Sequence, residues 1–583
     1  MSEIGNWLER NLEALRASGA RLNHETAAKV AASKVSPRLR LEASRSGGIQ
    51  EPTAILTGPE GDIFLHSRYR PRSEAVKFAD GVGVEGCDYL VLYGFGLGYE
   101  AEALIQIAPQ LQLRIIEPDP SLLYSAFVSR DLSELLGLAH VIIVCEEQVA
   151  EAVGSLDYLP FFFPKLRSSN LRARIAADDW YFRDFAAKLD LFIAAAGNDY
   201  RACAGYGLRW CVNTIRNLAL LERSYVTPEV APANSWRIVG AGPSATQTLE
   251  PLATAAKTFT VYCDTAVRTA AAFTKERLTA VTIDPQPISK LHYLGVPPQR
   301  VLLVSDIGAH HSLLQSFPHL SFICSEHPLH RYLSSRGLPL GPTLVRGGSV
   351  SETALRLAHH AGANEIELHG LDFGYRAEKS YIVGSWLESY LRNRSDRLHS
   401  ISDQNYAFIQ KRNAVRRPTT PKVETSGTDN MSKATYHTSL LEDYRAAFYS
   451  AATALGFRYT PGSSCSEPGR LYGERHSSPL LGRGDIAPNA TGDLTSAHVS
   501  HVTTDEAVRE VLGRFRQELS ELVLPAKDSR FGMSYRSLGA AGATLVPAAI
   551  FFHERRGTSR CEAMQQSCEL MQNEISRFIA AGR

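Results

Sequence analysis

The sequence predicts an α/β protein whose central domain is Rossmann-like, with a parallel sheet and helices on both faces. Two observations support this fold class. Short apolar segments end repeatedly in glycine or a small polar group, and helical segments separate them at regular spacing. The first apolar segment, residues 236–239, runs directly into a glycine-rich turn. We predict an N-terminal α/β domain before this central domain and a mainly helical C-terminal region after it.

The glycine-rich turn, Gly-Ala-Gly-Pro-Ser at 240–244, is predicted to join the first central strand to a helix. Glycine lets the backbone approach a ligand, and a helix start offers unpaired N–H groups and the positive end of the dipole. This combination suits a phosphate. The alternative is an ordinary strand-to-helix turn. We predict that the turn binds a nucleotide through Gly240, Ala241, Gly242, Pro243 and Ser244.

Further strand ends follow at α/β spacing. Residues 259–263 lead into Asp264 and Thr265, and residues 278–283 lead into Asp284-Pro285-Gln286. Ligands of open α/β sheets lie beyond the carboxyl ends of the strands, so Ser244, Asp264, Thr265 and Asp284 are expected to converge on one crevice. Later, Gly347-Gly348-Ser349 opens a helix that contains Glu352, and residues 366–369 lead into Gly370 and Asp372.

Five motifs in order resemble the flagellin-modifying Maf (motility-associated factor) proteins: GAGPS, Asp264-Thr265-Ala266, IDPQ at 283–286, GGSV at 347–350 and HGLDFGY at 369–375. The resemblance covers residues 210–445, and that family's central domain is DUF115, or 6-hydroxymethylpterin diphosphokinase MptE-like. More distantly, the chain is similar to bacterial sialyltransferases with a GNGPSL loop, although Ala241 and Ala245 stand where that loop has Asn and Leu. The resemblance implies a GT-A/sialyltransferase-like parallel sheet.

The same resemblance implies a glycosyltransferase that moves a nonulosonic acid, of the pseudaminic or legionaminic type, from a CMP-activated donor to Ser or Thr of flagellin. Such a reaction needs a grip on the nucleotide, stabilisation of the leaving phosphate and a base for the acceptor hydroxyl. We assign the grip to the 240–244 turn, to Asp264 and Thr265, and to a second helix-start nest at Gly347, Gly348 and Ser349. Gln286 and Gly370 complete the predicted nucleotide-binding set.

The general base is expected among four residues that end a strand or open a helix near the crevice. Asp284 is the first choice because it stands at a strand tip before a proline that turns the chain outward. Asp372, Glu352 and His327 are the alternatives. No Asp-x-Asp pair or His/Cys cluster has metal-ligand spacing, so no metal is predicted to be obligatory, and Mg²⁺ bound with the donor phosphate is left open.

Composition restricts the class of protein. The 583 residues carry a net charge of +1, with 44% hydrophobic and 21% charged residues, which favours neither a nucleic-acid nor a membrane partner. We see no secretory signal and no apolar run long enough to span a bilayer. The nine cysteines are scattered, as in reduced proteins. We therefore expect a cytoplasmic protein.

Four segments are predicted: an N-terminal α/β domain at 1–165, a helical connector at 166–225, the catalytic domain at 226–445 and a mainly helical domain at 446–583. A second glycine loop, Gly94-Phe95-Gly96-Leu97-Gly98, precedes an acidic strand end at Glu117. It is either a nucleotide site or a scaffold turn. Residues 392–434 and 457–503 are predicted to be loop-like. Trp180, Tyr181, Phe182 and Phe185 are expected to pack in a core or an interface.

Three other functions remain open from the sequence. A pterin pyrophosphokinase would use ATP and Mg²⁺ on a small molecule, as the label of the shared domain implies. A non-catalytic chaperone or scaffold would bind flagellin through the helical flanks. A methyltransferase, based on the 94–98 loop, ranks last.

Overall fold

The computed structural model describes residues 4–45, 47–224, 234–247, 258–346, 348–376, 379–412, 415–416, 435–461, 469–473, 505–524 and 538–581. The chain forms two compact units. The first contains Met1–Gly205, Leu524–Gly539 and His553–Glu562, and the second contains Tyr206–Val523, Ala540–Phe552 and Ala563–Arg583. The four-segment division drawn from the sequence stays a prediction.

The first unit is built on two sheets. Its strands are β1 (Leu39–Ser44), β2 (Gly48–Gly58), β3 (Gly61–Phe64), β4 (Tyr89–Tyr93), β5 (Gln112–Ile116), β6 (Val141–Val144) and β7 (Leu166–Asn170). Its helices are α1 (Ile4–Ala17), α2 (Arg21–Ala31), α3 (Pro71–Val82), α4 (Tyr99–Ile107), α5 (Pro120–Ser129), α6 (Ser133–Leu136), α7 (Val149–Gly154) and α8 (Arg172–Ala177). Strands β1 to β3 form an antiparallel sheet, and a parallel sheet has the order β6-β5-β4-β7.

Helix α9 (Asp179–Asn217) is 39 residues long, and its residues from Tyr206 onward belong to the second unit. Three of the aromatic residues at its start, Tyr181, Phe182 and Phe185, are buried as predicted. Trp180 differs, because its side chain is 71% exposed. At about 100° per residue, the three buried aromatics fall within one arc of about 100° on the helix, and Trp180 lies outside that arc.

The second unit contains the strands β8 (Ser235–Val239), β9 (Phe259–Cys263), β10 (Leu278–Thr282), β11 (Val301–Asp306), β12 (His319–Ser325), β13 (Thr343–Val345), β14 (Glu365–His369), β15 (Tyr375–Arg376), β16 (Val415–Arg416), β17 (Thr435–His437), β18 (Arg458–Thr460) and β19 (Gly469–Tyr472). Its helices between the strands are α10 (Asp264–Phe273), α11 (His311–Leu314), α12 (Pro328–Ser335), α13 (Val350–His360), α14 (Trp386–Asn393), α15 (Ile401–Lys411) and α16 (Ser439–Ala454). The C-terminal helices are α17 (Asp505–Glu521), α18 (Gly539–Ala543), α19 (Val546–Arg556) and α20 (Arg560–Ala581).

The main sheet of this unit has nine strands in the order β13-β12-β11-β10-β9-β8-β14-β19-β18. The strands from β13 to β14 are parallel, and β19 and β18 extend the sheet antiparallel. The chain proceeds outward from β8 to β13 and then crosses to β14 on the other side of β8. The switch point of the sheet, where α/β folds commonly bind ligands, therefore lies between β8 and β14.

The central strands are buried along their whole length, which explains their nearly continuous apolar sequences. The exception is a row of charged residues across β8, β14 and β19. Arg237 donates to Glu367 at 2.9 Å on the adjacent strand, and Arg470 lies 3.0 Å from the other oxygen of Glu367. These residues are direct register partners. Because a shift of one residue would separate them, the ion pairs fix the register of β19 against the parallel strands.

The predicted fold class is confirmed: parallel sheets, α/β organisation and a helical C-terminal region are all present. Two local predictions were wrong. Helix α15 lies within the segment predicted to be loop-like, and its N-terminus has a capping box between Ser400 and Asp403. Strands β18 and β19 lie within the segment predicted to be irregular. Among the helices that the structure describes, none combines the length and apolar surface that crossing a bilayer requires.

Candidate functional site

The carboxyl ends of β8, β9 and β10 lie side by side and carry most of the predicted site. Adjacent strands are about 4.8 Å apart, so the Ser244 turn, Asp264 and Asp284 fall within about 10 Å across the sheet edge. Asp264 and Asp284 also influence each other electrostatically, since the charge of Asp264 contributes to the raised pKa of Asp284. The structure thus brings these predicted residues to one edge of one sheet.

The glycine turn after β8 is packed against the turn after β14. The Gly240 N–H donates to His369 O and the Gly242 N–H to Gly370 O, both at 2.8 Å. Gly370 has a φ of +62°, and a Cβ there would lie 2.5 Å from the Gly240 carbonyl oxygen. These glycines permit two backbone turns to meet, because a side chain at either would push them apart.

Asp372 completes this contact. Its Oδ2 accepts from the Ser244 backbone N–H at 3.2 Å and from the Ser244 hydroxyl at 2.8 Å. Burial raises the pKa of Asp372, and the Ser244 hydrogen bonds oppose that rise. The next residue, Phe373, has a φ of 43°. In the described part of the chain it is the one residue other than glycine with a positive φ. Asp372 therefore holds the two turns together.

These bonds change which backbone amides are available to a ligand. The amides of Gly240, Gly242 and Ser244 already have partners within the protein, and Pro243 has no N–H. The segment Pro243–Gln247 is a short 3-10 helix, so its dipole is weaker than that of the α-helix we expected. The Ala241 N–H has no partner in the described part of the chain, and it remains the turn's available donor.

Asp264 is buried and largely satisfied by neighbouring side chains. Its Oδ1 accepts from the Thr265 N–H at 2.7 Å and from the Thr265 hydroxyl at 3.1 Å, and its Oδ2 accepts from Thr282 at 3.1 Å. It lies at the start of helix α10, where a negative charge is favoured. Asp264 therefore stabilises the first turn of α10 and adds negative charge beneath the site.

Asp284 is half-buried at the carboxyl end of β10. Its Oδ1 accepts from the Gln286 N–H at 2.8 Å. Burial raises the pKa of Asp284, and hydrogen bonding to Gln286 opposes that rise. The side chain of Gln286 donates to the Tyr206 hydroxyl of α9 at 3.4 Å. A half-buried carboxyl group with a raised pKa is a suitable candidate for the predicted general base.

Helix α9 holds the loops after β10 and β11. The Asn213 side-chain amide donates to Pro285 O at 3.1 Å and to Gly308 O at 3.2 Å. The Asn217 amide donates to Ile307 O at 2.7 Å and to Ala309 O at 2.8 Å. These residues were missed from the sequence, because nothing in a helical pattern shows which loops a helix contacts.

Three other predicted residues, His327, Ser349 and Glu352, have partners within the protein. His327 caps helix α12, where its Nδ1 accepts from the Leu329 N–H at 3.2 Å. Ser349 caps helix α13 by accepting from the Glu352 N–H at 3.2 Å. The Glu352 side chain is buried and forms an ion pair with Arg356 at 2.7 Å. Gly348 has a φ of +68° and open space around it, whereas Gly347 lies outside the described residues.

The second glycine loop, in the first unit, is filled by the protein's own side chains. The Phe95 N–H donates to Glu117 at 3.2 Å, and the Leu97 N–H donates to His66 Nε2 at 2.9 Å. Glu117 is buried and also pairs with Arg174 at 2.7 Å. Because loop amides and the acidic strand end are both occupied, we interpret this loop as a scaffold turn. The roles predicted for the site residues, and the expectation that no metal is obligatory, stay predictions.

Comparisons with known proteins agree with this architecture. Residues 213–378 match the family described as 6-hydroxymethylpterin diphosphokinase MptE-like. An uncharacterized protein of Treponema pallidum (strain Nichols) is 29% identical over 200 residues, which is 32% of this chain and 62% of that protein's length. The solved MAf glycosyltransferase from Magnetospirillum magneticum AMB-1 has a TM-score of 0.52 and 15% identity, over 99% of this chain and 95% of that one. The resemblance inferred from the five motifs is confirmed for the central domain and the fold.

Proposed function

We propose that this chain, which carries an MptE-like domain at 213–378 and has the fold of a Maf glycosyltransferase, is itself a glycosyltransferase. It transfers a nonulosonic acid of the pseudaminic or legionaminic type from a CMP-activated donor to Ser or Thr of flagellin. It acts in the cytoplasm before flagellin is exported. Neither a nucleic acid nor a membrane is needed as a partner.

The observation that carries this proposal is the half-buried carboxylate of Asp284 at the edge of three adjacent parallel strands. In an open α/β sheet this edge is the usual place for a nucleotide. A half-buried carboxylate with a raised pKa suits removal of a proton from an acceptor hydroxyl. The likeness in fold over 99% of the chain supports the same assignment, because it includes the regions outside the central domain.

The residues then have distinct tasks. Asp284 takes the proton of the acceptor hydroxyl. The hydroxyl oxygen attacks the anomeric carbon of the sugar, and CMP leaves with the electrons of the broken glycosidic bond. The Ala241 N–H donates to the phosphate, and Thr265 and Gln286 contact the ribose or the base. Asp372 and Ser244 hold the turn that presents Ala241.

A pyrophosphokinase is the second candidate, because the family description of the central segment names that activity. It would bind ATP with Mg²⁺, and it would not require the large segments on either side of the central domain. The nucleotide that the protein binds, cytidine or adenosine, therefore distinguishes the two proposed functions.

The test is the thermal stability of the purified chain with CMP, CTP or ATP, each with and without Mg²⁺. We expect CMP and CTP to raise the melting temperature and ATP to have a smaller effect. A ligand at 100 times its Kd stabilises a protein by about 2.7 kcal/mol, which is readily measured. Stabilisation by ATP and Mg²⁺ without a response to cytidine nucleotides would contradict the transferase and favour the kinase.

A further inference from the structure

A second group of unpaired polar atoms lies at the tips of β11 and β12. Its members are Asp306, which ends β11, His327, which follows β12, and Trp210 on helix α9. We refer to these three residues as the Trp210 cluster. The functional assignment above leaves Trp210 and Asp306 unused.

Asp306 is a buried carboxyl group with one oxygen unsatisfied. The residue is only 4% exposed, and its Oδ1 accepts from the Gly308 N–H at 2.6 Å. Its Oδ2 is buried and has no hydrogen-bond partner in the described residues. An unpaired buried oxygen of this kind is costly and rare, so it points to a missing partner. Burial raises the pKa of Asp306 to about 7.

His327 presents a fixed hydrogen-bond donor. Because the Leu329 N–H donates to Nδ1, the proton of the neutral ring is on Nε2. That Nε2 is buried and has no partner in the described part of the chain. Burial, together with the charge of Arg331, lowers the pKa of His327 to about 4, so the ring is neutral near pH 7. His327 is thus placed to donate a hydrogen bond rather than to act as the base.

Trp210 joins these two groups. Its ring lies 6.0 Å from the His327 ring, at an angle of 68°. A Cβ on Gly308 would lie 2.8 Å from Asp306 Oδ1 and 3.3 Å from Trp210 Cδ1, so one glycine separates the indole from the carboxyl group. The indole is half-buried, and its N–H has no partner in the residues that the structure describes.

Nearby polar residues do not share this property. His330 Nε2 lies 2.9 Å from the Thr214 hydroxyl, and its Nδ1 lies 2.9 Å from the Ser325 hydroxyl. Both ring nitrogens of His330 are therefore paired. Among the described residues beside the indole, Asp306 Oδ2 and His327 Nε2 thus stay unpaired.

We infer that the Trp210 cluster binds the sugar part of the donor, with hydroxyl or acylamino groups hydrogen-bonded to Asp306, His327 and the indole N–H, and the ring face against the sugar. An aromatic face beside a neutral imidazole and a carboxyl group, with no positive charge among the three residues, suits a polyhydroxylated ligand better than a phosphate, which needs positive charge. The inference rests on the proposed function, because it assigns the nucleotide of the donor to the tips of β8 to β10 and the sugar of the same donor to the Trp210 cluster. Strands β9 and β12 are three strands apart, or about 14 Å, which leaves room for the nucleotide and the sugar side by side.

The test is isothermal titration of the full chain with CMP and with CMP-pseudaminic or CMP-legionaminic acid. The variants are Trp210→Leu and His327→Asn. Asn retains a helix-capping oxygen but is too short to replace Nε2, so the second variant keeps helix α12. We expect both variants to bind CMP within about twofold of wild type and the CMP-sugar about tenfold more weakly, since one lost hydrogen bond of about 1.4 kcal/mol is a factor of about ten.

Trp180→Leu is the matched control, because Trp180 is exposed and lies in the first unit. It should bind both ligands as wild type does. Unchanged CMP-sugar affinity in folded Trp210→Leu and His327→Asn proteins would overturn the inference while leaving the transferase standing. A wild-type chain that binds neither CMP nor either CMP-sugar would overturn the proposed function, and this inference with it.

Discussion

In the proposed reaction, Asp284 is the residue on which the chemistry depends most. Asp284→Asn keeps the size of the side chain and the oxygen that accepts from Gln286, but it removes the base. We expect transfer to fall by about 10²- to 10⁴-fold, the usual contribution of a general base. The measurement is the rate of CMP release from a CMP-nonulosonate in the presence of flagellin.

Asp443→Asn is the control for this substitution, since Asp443 lies on helix α16 beside Tyr444, whose ring is near Asp284. It should leave the rate unchanged. A rate in Asp284→Asn equal to that of wild type would remove Asp284 from the reaction and transfer the role to another group.

We predict that the buried Asp306 carboxyl group makes the free energy of unfolding depend on pH. Its pKa of about 7 in the folded protein lies above the ordinary value of 3.8, so the folded state holds the proton more tightly than the unfolded chain. Its contribution to the free energy of unfolding is therefore complete below about pH 4 and is lost as the pH rises to about 7, with an upper bound on the order of 4 kcal/mol.

The effect is measured by denaturant unfolding at about pH 4.5 and at about pH 7.5, two values that span most of this range. The substituted side chain cannot ionise, so the free energy of unfolding of the Asp306→Asn variant, relative to that of wild type, should be higher at about pH 7.5 than at about pH 4.5. The exposed Asp80→Asn variant provides the baseline. A stability difference between Asp306→Asn and wild type that does not change with pH would show that Asp306 is ionised in the folded protein throughout this range.

At the level of single residues, the sequence located the strand tips but not their partners. Asp264 and Asp284 could be predicted because each follows an apolar strand, and that pattern is local. Asp306 follows such a strand too, within Val-Ser-Asp at 304–306, and the same argument could have found it. Trp210 could not be found, because its role depends on which loop helix α9 contacts.

Among the elements, the pair of turns after β8 and β14 makes the clearest prediction. Gly370→Ala places a Cβ 2.5 Å from Gly240 O and 2.6 Å from Ala245 Cβ, in addition to the strain of a positive φ. We expect a loss of about 2–5 kcal/mol, from left-handed strain of about 1–2 kcal/mol plus overpacking of about 1–3 kcal/mol.

Gly348→Ala separates these two causes. Gly348 has a similar positive φ, and a Cβ added there would meet no atom of the described residues within 4 Å, so its cost should be limited to the strain. Urea unfolding of both variants measures the difference. Equal losses would mean that the two turns do not pack as closely as we describe.

Element boundaries show what a local pattern can and cannot provide. Helix α15 was missed although Ser400-x-x-Asp403 has the spacing of a capping box, because the basic composition of the segment suggested a loop. Strands β18 and β19 are three and four residues long, and they join the sheet through Arg470 and Glu367, which are far apart in sequence. No local pattern predicts a pairing at that separation.

For the whole molecule, the order of motifs predicted the fold class, because consecutive strand–helix units leave few topologies for a parallel sheet. The same order did not reveal that β14 lies beside β8. That crossover makes the glycine turn a contact between two loops, and it leaves Ala241 as the turn's available amide in the described chain. Of the several backbone amides predicted to bind a phosphate at this turn, the Ala241 N–H is therefore the one donor left in the described chain.

The central claim is that this chain transfers a nonulosonic acid to flagellin through Asp284. The most direct measurement is the intact mass of flagellin co-expressed with a CMP-nonulosonate pathway and either the wild-type chain, the Asp284→Asn variant or no chain. We predict a mass increase by whole nonulosonic acid residues with the wild-type chain, and unmodified flagellin in the other two cases. Unmodified flagellin with the wild-type chain, or the same increase without it, would contradict the account.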